Sequence, residues 1–138
     1  MHVVLRGDDS NGPPAAAVPP PWTAVVDPAL RAVVDAVIRE PHRPWTIARL
    51  ARLAGVSRAT LVRRFSAATG MGVADFLTRI RMTVAADLLT TTERSLDDIA
   101  ARVGYRSPSA FGRAFRTTTG MTPARLRRSA AEYGHWPT

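Results

Sequence analysis

The chain contains no cysteine. Disulfides, thiol redox sensing and thiolate-bound zinc are therefore excluded, and the composition fits a reducing compartment. Histidine is scarce: His2, His42 and His135 lie in loop-like or terminal stretches without metal-ligand spacing, so no metal site is expected. No nucleophile stands in a recognisable arrangement with a base, and no glycine-rich phosphate loop occurs. Neither an enzyme nor a bound cofactor is expected. Apolar runs long enough to span a bilayer are missing, although 46% of the residues are hydrophobic. His2–Leu5 is too short for a secretory core and is followed by Asp8 and Asp9, so no signal peptide is expected. Negative charge is also in short supply. Eleven Asp and Glu face 19 cations, every one an arginine, for a formal net charge of +8. From Arg43 to Arg128, sixteen arginines stand against five acidic residues, a concentration that predicts a polyanionic partner.

At 138 residues the chain supports one domain, or two small subdomains sharing a helix. Residues 1–26 are dense in proline and glycine and read as a disordered arm or linker, and residues 134–138 read as a flexible tail. Residues 27–133 carry helical patterning, so the expected fold is all-α with about seven helices. Asp27–Pro28 supplies a cap and first-turn proline for a helix whose apolar stripe is Leu30, Val33, Val34, Val37 and Ile38.

The densest pattern runs from Ser95 to Arg128. Ser95 caps a short helix with Leu96, Ile99, Ala100 and Val103 on one face, and Gly104 ends it. Ser107–Pro108 then opens a second helix that buries Phe111 and Phe115 and turns Ser109, Gly112, Arg113 and Arg116 outward. Gly120 closes that helix, and Thr122–Pro123 starts another, from Ala124 to about Tyr133. The plan occurs twice. Thr46 to Phe76 repeats it, with Gly55 and Gly104 49 residues apart and Phe65 and Phe115 50 apart, so the turns differ by one residue. Ile47, Leu50, Ala51 and Leu53 are the expected core positions of the first short helix. Each repeat is a helix-turn-helix, a form suited to laying one helix in the major groove of duplex DNA. The expected units are residues 27–72 and 95–133. A long central helix over residues 73–89 joins them, with one apolar stripe of Val73, Phe76, Leu77, Ile80, Val84 and Leu88.

On these residues the chain resembles the C-terminal DNA-binding domain of the AraC/XylS family of bacterial transcription regulators. The matching positions are Ile99–Ala100, Val103–Gly104–Tyr105, Ser107, Ser109, Phe111, Arg113, Phe115, Gly120, Thr122–Pro123 and Arg127. Leu126 departs from the aromatic usual in the family, and Gly112 leaves one outward position with no side chain to read a base. The resemblance implies two homeodomain-like units and binding of double-stranded DNA by the monomer through both of them. It also implies a cytoplasmic, nucleoid-associated location, contact with RNA polymerase, and a sensor domain that this chain lacks. No membrane partner is expected.

The expected base-reading set is Ala59, Val62, Arg63, Ser109, Gly112 and Arg113. Arginine bonds both major-groove acceptors of guanine, and Ala59 and Val62 offer apolar contact to a thymine methyl. The expected phosphate set is Thr46, Arg58, Arg64, Ser95, Arg106, Ser107 and Arg116, through guanidinium charge, hydroxyls and helix N-termini. Arg79 and Arg81 are read as solvated or phosphate-facing, and Arg125, Arg127 and Arg128 as a basic face on the last helix. With Gly112 and Pro108 in it, the second unit reads as the poorer direct reader. The competing reading is a protein-interaction module, touching RNA polymerase or a separate sensor chain, with only nonspecific affinity for DNA.

Overall fold

The computed structural model describes Trp22 and residues 25–132. Seven helices follow one another: α1 (Pro28–Arg39), α2 (Ile47–Ala54), α3 (Arg58–Thr69), α4 (Val73–Thr91), α5 (Leu96–Arg102), α6 (Pro108–Thr119) and α7 (Pro123–Glu132). The described residues contain no strand, and none of their helices is long and apolar enough to cross a membrane.

Caps fix most of the boundaries. The side chains of Asp27, Thr46, Ser57, Ser95 and Ser107 each accept a backbone N–H from the first turn of the helix they precede. Losing such a cap costs about 1 kcal/mol. Ser57→Ala and Ser107→Ala are each expected to lower unfolding free energy by about that much, read from urea denaturation midpoints. A loss below about 0.3 kcal/mol at both sites would count against capping as the boundary signal.

The same staple closes both α3 and α6. Thr69 Oγ1 donates to the Phe65 carbonyl at 2.8 Å and accepts the Met71 N–H at 3.2 Å. Thr119 Oγ1 makes the matching bonds to Phe115 and Met121 at 2.8 and 3.2 Å.

Two hydrophobic cores form, and α4 belongs to both. The first gathers Leu30, Val33, Val34 and Val37 of α1, Leu50 and Ala51 of α2, Leu61 and Phe65 of α3, and Val73, Phe76, Leu77 and Ile80 of α4. The second gathers Met82, Ala85, Ala86 and Leu89 of α4 with Ile99, Ala100, Val103, Phe111, Phe115 and Leu126. At about 100° per residue, the two α4 sets point to opposite sides of the helix, about 180° apart. The single stripe expected through Val84 and Leu88 is therefore corrected. Both are only partly buried, and the inward face reverses midway along α4 because a different unit packs on each half.

Several boundaries also differ. Trp22 and Val25 were expected in a disordered arm but are buried in the first core, with Trp22 only 5% exposed. The Trp22 ring stands edge-on to Phe76 at 5.9 Å, and Phe76 lies 4.5 Å from Phe65, ring centre to ring centre. Val26, beside them, is exposed, while residues 1–21, 23 and 24 and the tail at 134–138 lie outside the described residues. Helix α4 runs two residues past the expected end, because the hydroxyls of Thr90 and Thr91 bond back to the carbonyls of Ala86 and Asp87. Ile38, Ile47 and Leu53 were placed in the core but are exposed, Leu53 at 44%; α2 is short enough that Leu50 and Ala51 alone seat it.

Two arginines read as basic surface instead hold helices together. Arg81 donates to the carbonyls of Pro41 at 2.9 Å and Arg43 at 2.8 Å, fastening the middle of α4 to the α1–α2 loop. Burial lowers its pKa, and Tyr105 beside it opposes that shift; burial likewise raises the Tyr105 phenol. Arg127 donates to the carbonyls of Leu89 and Thr92, both at 3.1 Å, satisfying the end of α4 from α7. Gly104 lies at the same junction as Arg81. It has φ 89°, and a Cβ there would sit 3.3 Å from the Pro41 carbonyl oxygen. The turn of the second unit thus abuts a loop of the first, at a position that only glycine fills without strain.

Candidate nucleic-acid interface

Each unit turns sharply before its longer helix. In the first, Gly55 is left-handed, Val56 N–H bonds the Ala51 carbonyl, and Ser57 caps α3 directly afterwards. In the second, Tyr105 N–H bonds the Ala100 carbonyl in the same way, but Arg106 intervenes before the Ser107 cap. The one-residue difference between the repeats is thus Arg106, an exposed cation inserted into the second turn.

Helices α3 and α6 are seated by few residues: Leu61 and Phe65 in one, Phe111, Phe115 and Thr119 in the other. Their outer sides are left bare. On α3, Ala59, Val62, Arg63 and Ser66 are all exposed and fall within an arc of about 100°. On α6, Ser109, Gly112, Arg113 and Arg116 fall within the matching arc; all but the half-exposed Gly112 are fully open. All six expected base-reading positions therefore lie on these two stripes. Ser66, which sequence reasoning passed over, completes the first. The 50-residue offset that pairs Phe65 with Phe115 also pairs Ser66 with Arg116, and that was the available signal.

The expected phosphate set is more divided. Arg58 opens α3 and is exposed, as is Arg106. Thr46, Ser95 and Ser107 use their hydroxyl oxygens to accept cap bonds from Arg49, Asp98 and Ala110, and each keeps its hydroxyl proton for an outside acceptor. Thr46 has no carboxylate in the first turn of its helix, whereas Ser95 stands beside Asp97 and Asp98, which repel an anion. Hydrogen bonds from Arg94 and Arg102 hold the Asp98 carboxyl below its usual range and occupy those two arginines. Arg64 is half-exposed and turned away from the outer stripe, its guanidinium 3.2 Å from the Asp27 carboxylate. Arg116 stands in the middle of the α6 stripe rather than at its edge.

Two solvent-facing helix surfaces, each carrying arginine and each preceded by a tight turn and a short helix, are suited to a groove lined with phosphate and base edges. Comparison with known proteins bears on that reading. A helix-turn-helix domain family model matches residues 50–129. A Streptomyces lividans protein described as an AraC-like transcription regulator is 42% identical over 108 residues, 78% of this chain and 36% of that one. The chain thus spans about a third of the length of the curated relatives it matches. Among solved structures, the DNA-binding domain of AdpA, determined in complex with a target DNA, has a TM-score of 0.72 and 34% identity, covering 79% of this chain and 97% of that one. The C-terminal domain of AraT, a response regulator from Geobacillus stearothermophilus, has a TM-score of 0.71 and 31% identity, covering 77% and 88%. The chain belongs to the AraC-type family of helix-turn-helix DNA-binding domains.

Proposed function

We propose that this chain is the DNA-reading part of a transcription regulator and reads a bipartite duplex site as a monomer, laying α3 and α6 in successive major grooves. The repeated outer stripe supports the reading: two equivalent helix faces, each with an arginine two residues before the buried phenylalanine, on one continuous body. At 1.5 Å per residue the 19 residues of α4 span about 28 Å. Half-sites one helical turn apart are separated by about 34 Å. A helix of that length with a unit on either side matches the spacing. Arg63 and Arg113 are the base-reading arginines, Ala59 and Val62 meet thymine methyls, and Ser109 bonds a base edge or the neighbouring phosphate. Arg58, Arg106, Thr46 and Ser107 hold the backbone. Arg64, paired with Asp27, belongs to the fold instead. A chain so bound sits on the nucleoid.

Selection of bound duplexes from a random pool at physiological salt tests the reading. Two conserved blocks about ten base pairs apart are expected. Arg63→Ala is expected to relax preference at one base of one block by about 1–3 kcal/mol while the other block keeps its sequence. Absence of any enriched motif would overturn the reading in favour of a protein partner, such as RNA polymerase or a sensor chain.

A further inference from the structure

The two reading stripes differ in chemistry. On α3 a single arginine, Arg63, is accompanied by Ala59, Val62 and Ser66. On α6 there are two, Arg113 and Arg116, three residues apart and so adjacent on one face. Both are exposed, and neither forms an ion pair among the described residues. Arg116 occupies the centre of its stripe, where Ser66 stands in α3. A phosphate-binding side chain belongs at the rim of a groove-lying helix, whereas one at the centre of the buried face meets base edges. Gly112 lies at the edge of the stripe, about 40° from Arg116, and a Cβ added there meets nothing within 4 Å. With no side chain at Gly112, nothing on that edge of the stripe stands between Arg116 and a groove floor.

The side-chain inventory narrows what those bases are. No glutamine occurs in the chain, and its one asparagine, Asn11, lies far from either stripe in sequence. The amide side chains that bond adenine in bidentate fashion are therefore absent from both reading faces. Arginine to guanine O6 and N7 and apolar contact to the thymine methyl remain as the discriminating contacts, beside the serine hydroxyls of Ser66 and Ser109, which bond either base.

We propose that Arg116 is a base-reading residue. The half-site under α6 then carries two guanines, read by Arg113 and Arg116, and the half-site under α3 carries one guanine beside thymine. This rests on the bipartite reading above and reverses the expectation that the second unit is the poorer direct reader. It also moves Arg116 from the phosphate set to the base set.

The test repeats the random-pool selection with the wild-type chain, Arg116→Ala and Arg116→Gln, and measures affinity for the selected duplex and for the same duplex with each guanine of the second block changed to adenine. Wild type is expected to select two guanines in that block. Arg116→Ala is expected to lose about 5- to 150-fold of discrimination at one of them, keeping the first block and the salt slope unchanged. Arg116→Gln is expected to move that position toward adenine. If instead Arg116→Ala weakens original and substituted duplexes by equal factors and lowers the salt slope by about one, Arg116 is a phosphate contact and the proposal is wrong. If wild type enriches no motif at all, the bipartite reading falls first and takes this assignment with it.

Discussion

Raising salt from about 50 to about 200 mM is expected to weaken binding of the selected duplex by about 150- to 1,800-fold, the result for four to six phosphates neutralised. The structure sets that range by deciding which arginines are free. Six of the sixteen between Arg43 and Arg128 are engaged within the chain. Arg43 and Arg64 pair with Glu40 and Asp27, Arg94 and Arg102 share Asp98, and Arg81 and Arg127 bond backbone carbonyls. Arg49, Arg52, Arg58, Arg79, Arg106, Arg125 and Arg128 are exposed outside the two outer stripes, with no ion pair among the described residues. They are the expected source of the sequence-independent attraction. Titrating one duplex at four or five salt concentrations gives the slope directly. A change of less than tenfold over this range would show that the exposed arginines miss the DNA backbone, and a slope near that of ten contacts would mean the internal pairs open on binding.

Trp22→Ala is expected to destabilise the chain by about 3 kcal/mol, the lower end for removing a buried tryptophan, since the residue lies at the edge of its core. Its ring is the first of three in contact, Trp22 to Phe76 to Phe65, and edge-to-face pairs of this kind contribute beyond the area they bury. The Trp22 carbonyl also accepts from Arg31 at 3.4 Å. Against a total stability of about 5–15 kcal/mol for a domain, the loss is large. Urea denaturation of wild type, Trp22→Ala and Trp22→Phe measures it, with Trp22→Phe expected to recover more than half. A cost under about 1 kcal/mol for Trp22→Ala would return this residue to the linker. Phe65 lies in α3, so loss of Trp22 is also expected to loosen the first reading helix more than the second.

The helices and the two repeated turns were legible in the sequence because caps, left-handed glycines and paired phenylalanines are local signals, and each occurs twice. Ser57, Ser107, Gly55 and Gly104 mark boundaries without reference to anything distant. What stayed hidden depends on contacts far apart in the chain. The composition of residues 1–26 is that of a linker, and only the approach of Trp22 to Phe76, more than fifty residues later, makes its end part of the core. Arg81 and Arg127 look like any other exposed helix arginine until the fold brings carbonyls 35 to 40 residues away within reach. The reversal of the inward face of α4 is invisible to a search for one periodic stripe, because each half is regular and only their junction is not. That the expected base-reading positions share two exposed stripes was legible from the repeat, whereas the centrality of Arg116 emerged only once its helix had a known inner side.

Arg106 has a bearing on the genome rather than on the fold. With one turn longer than the other, and with one arginine on the first reading face against two on the second, the two halves of the molecule are not interchangeable. On the bipartite reading proposed above, an operator for such a chain has a head and a tail. Trp22 is packed into the first unit, so on that reading the direction in which the operator is written decides which flank of the site Trp22 faces. Flipping a palindrome under a symmetric dimer changes nothing, whereas flipping the proposed operator in place would turn the bound protein end for end.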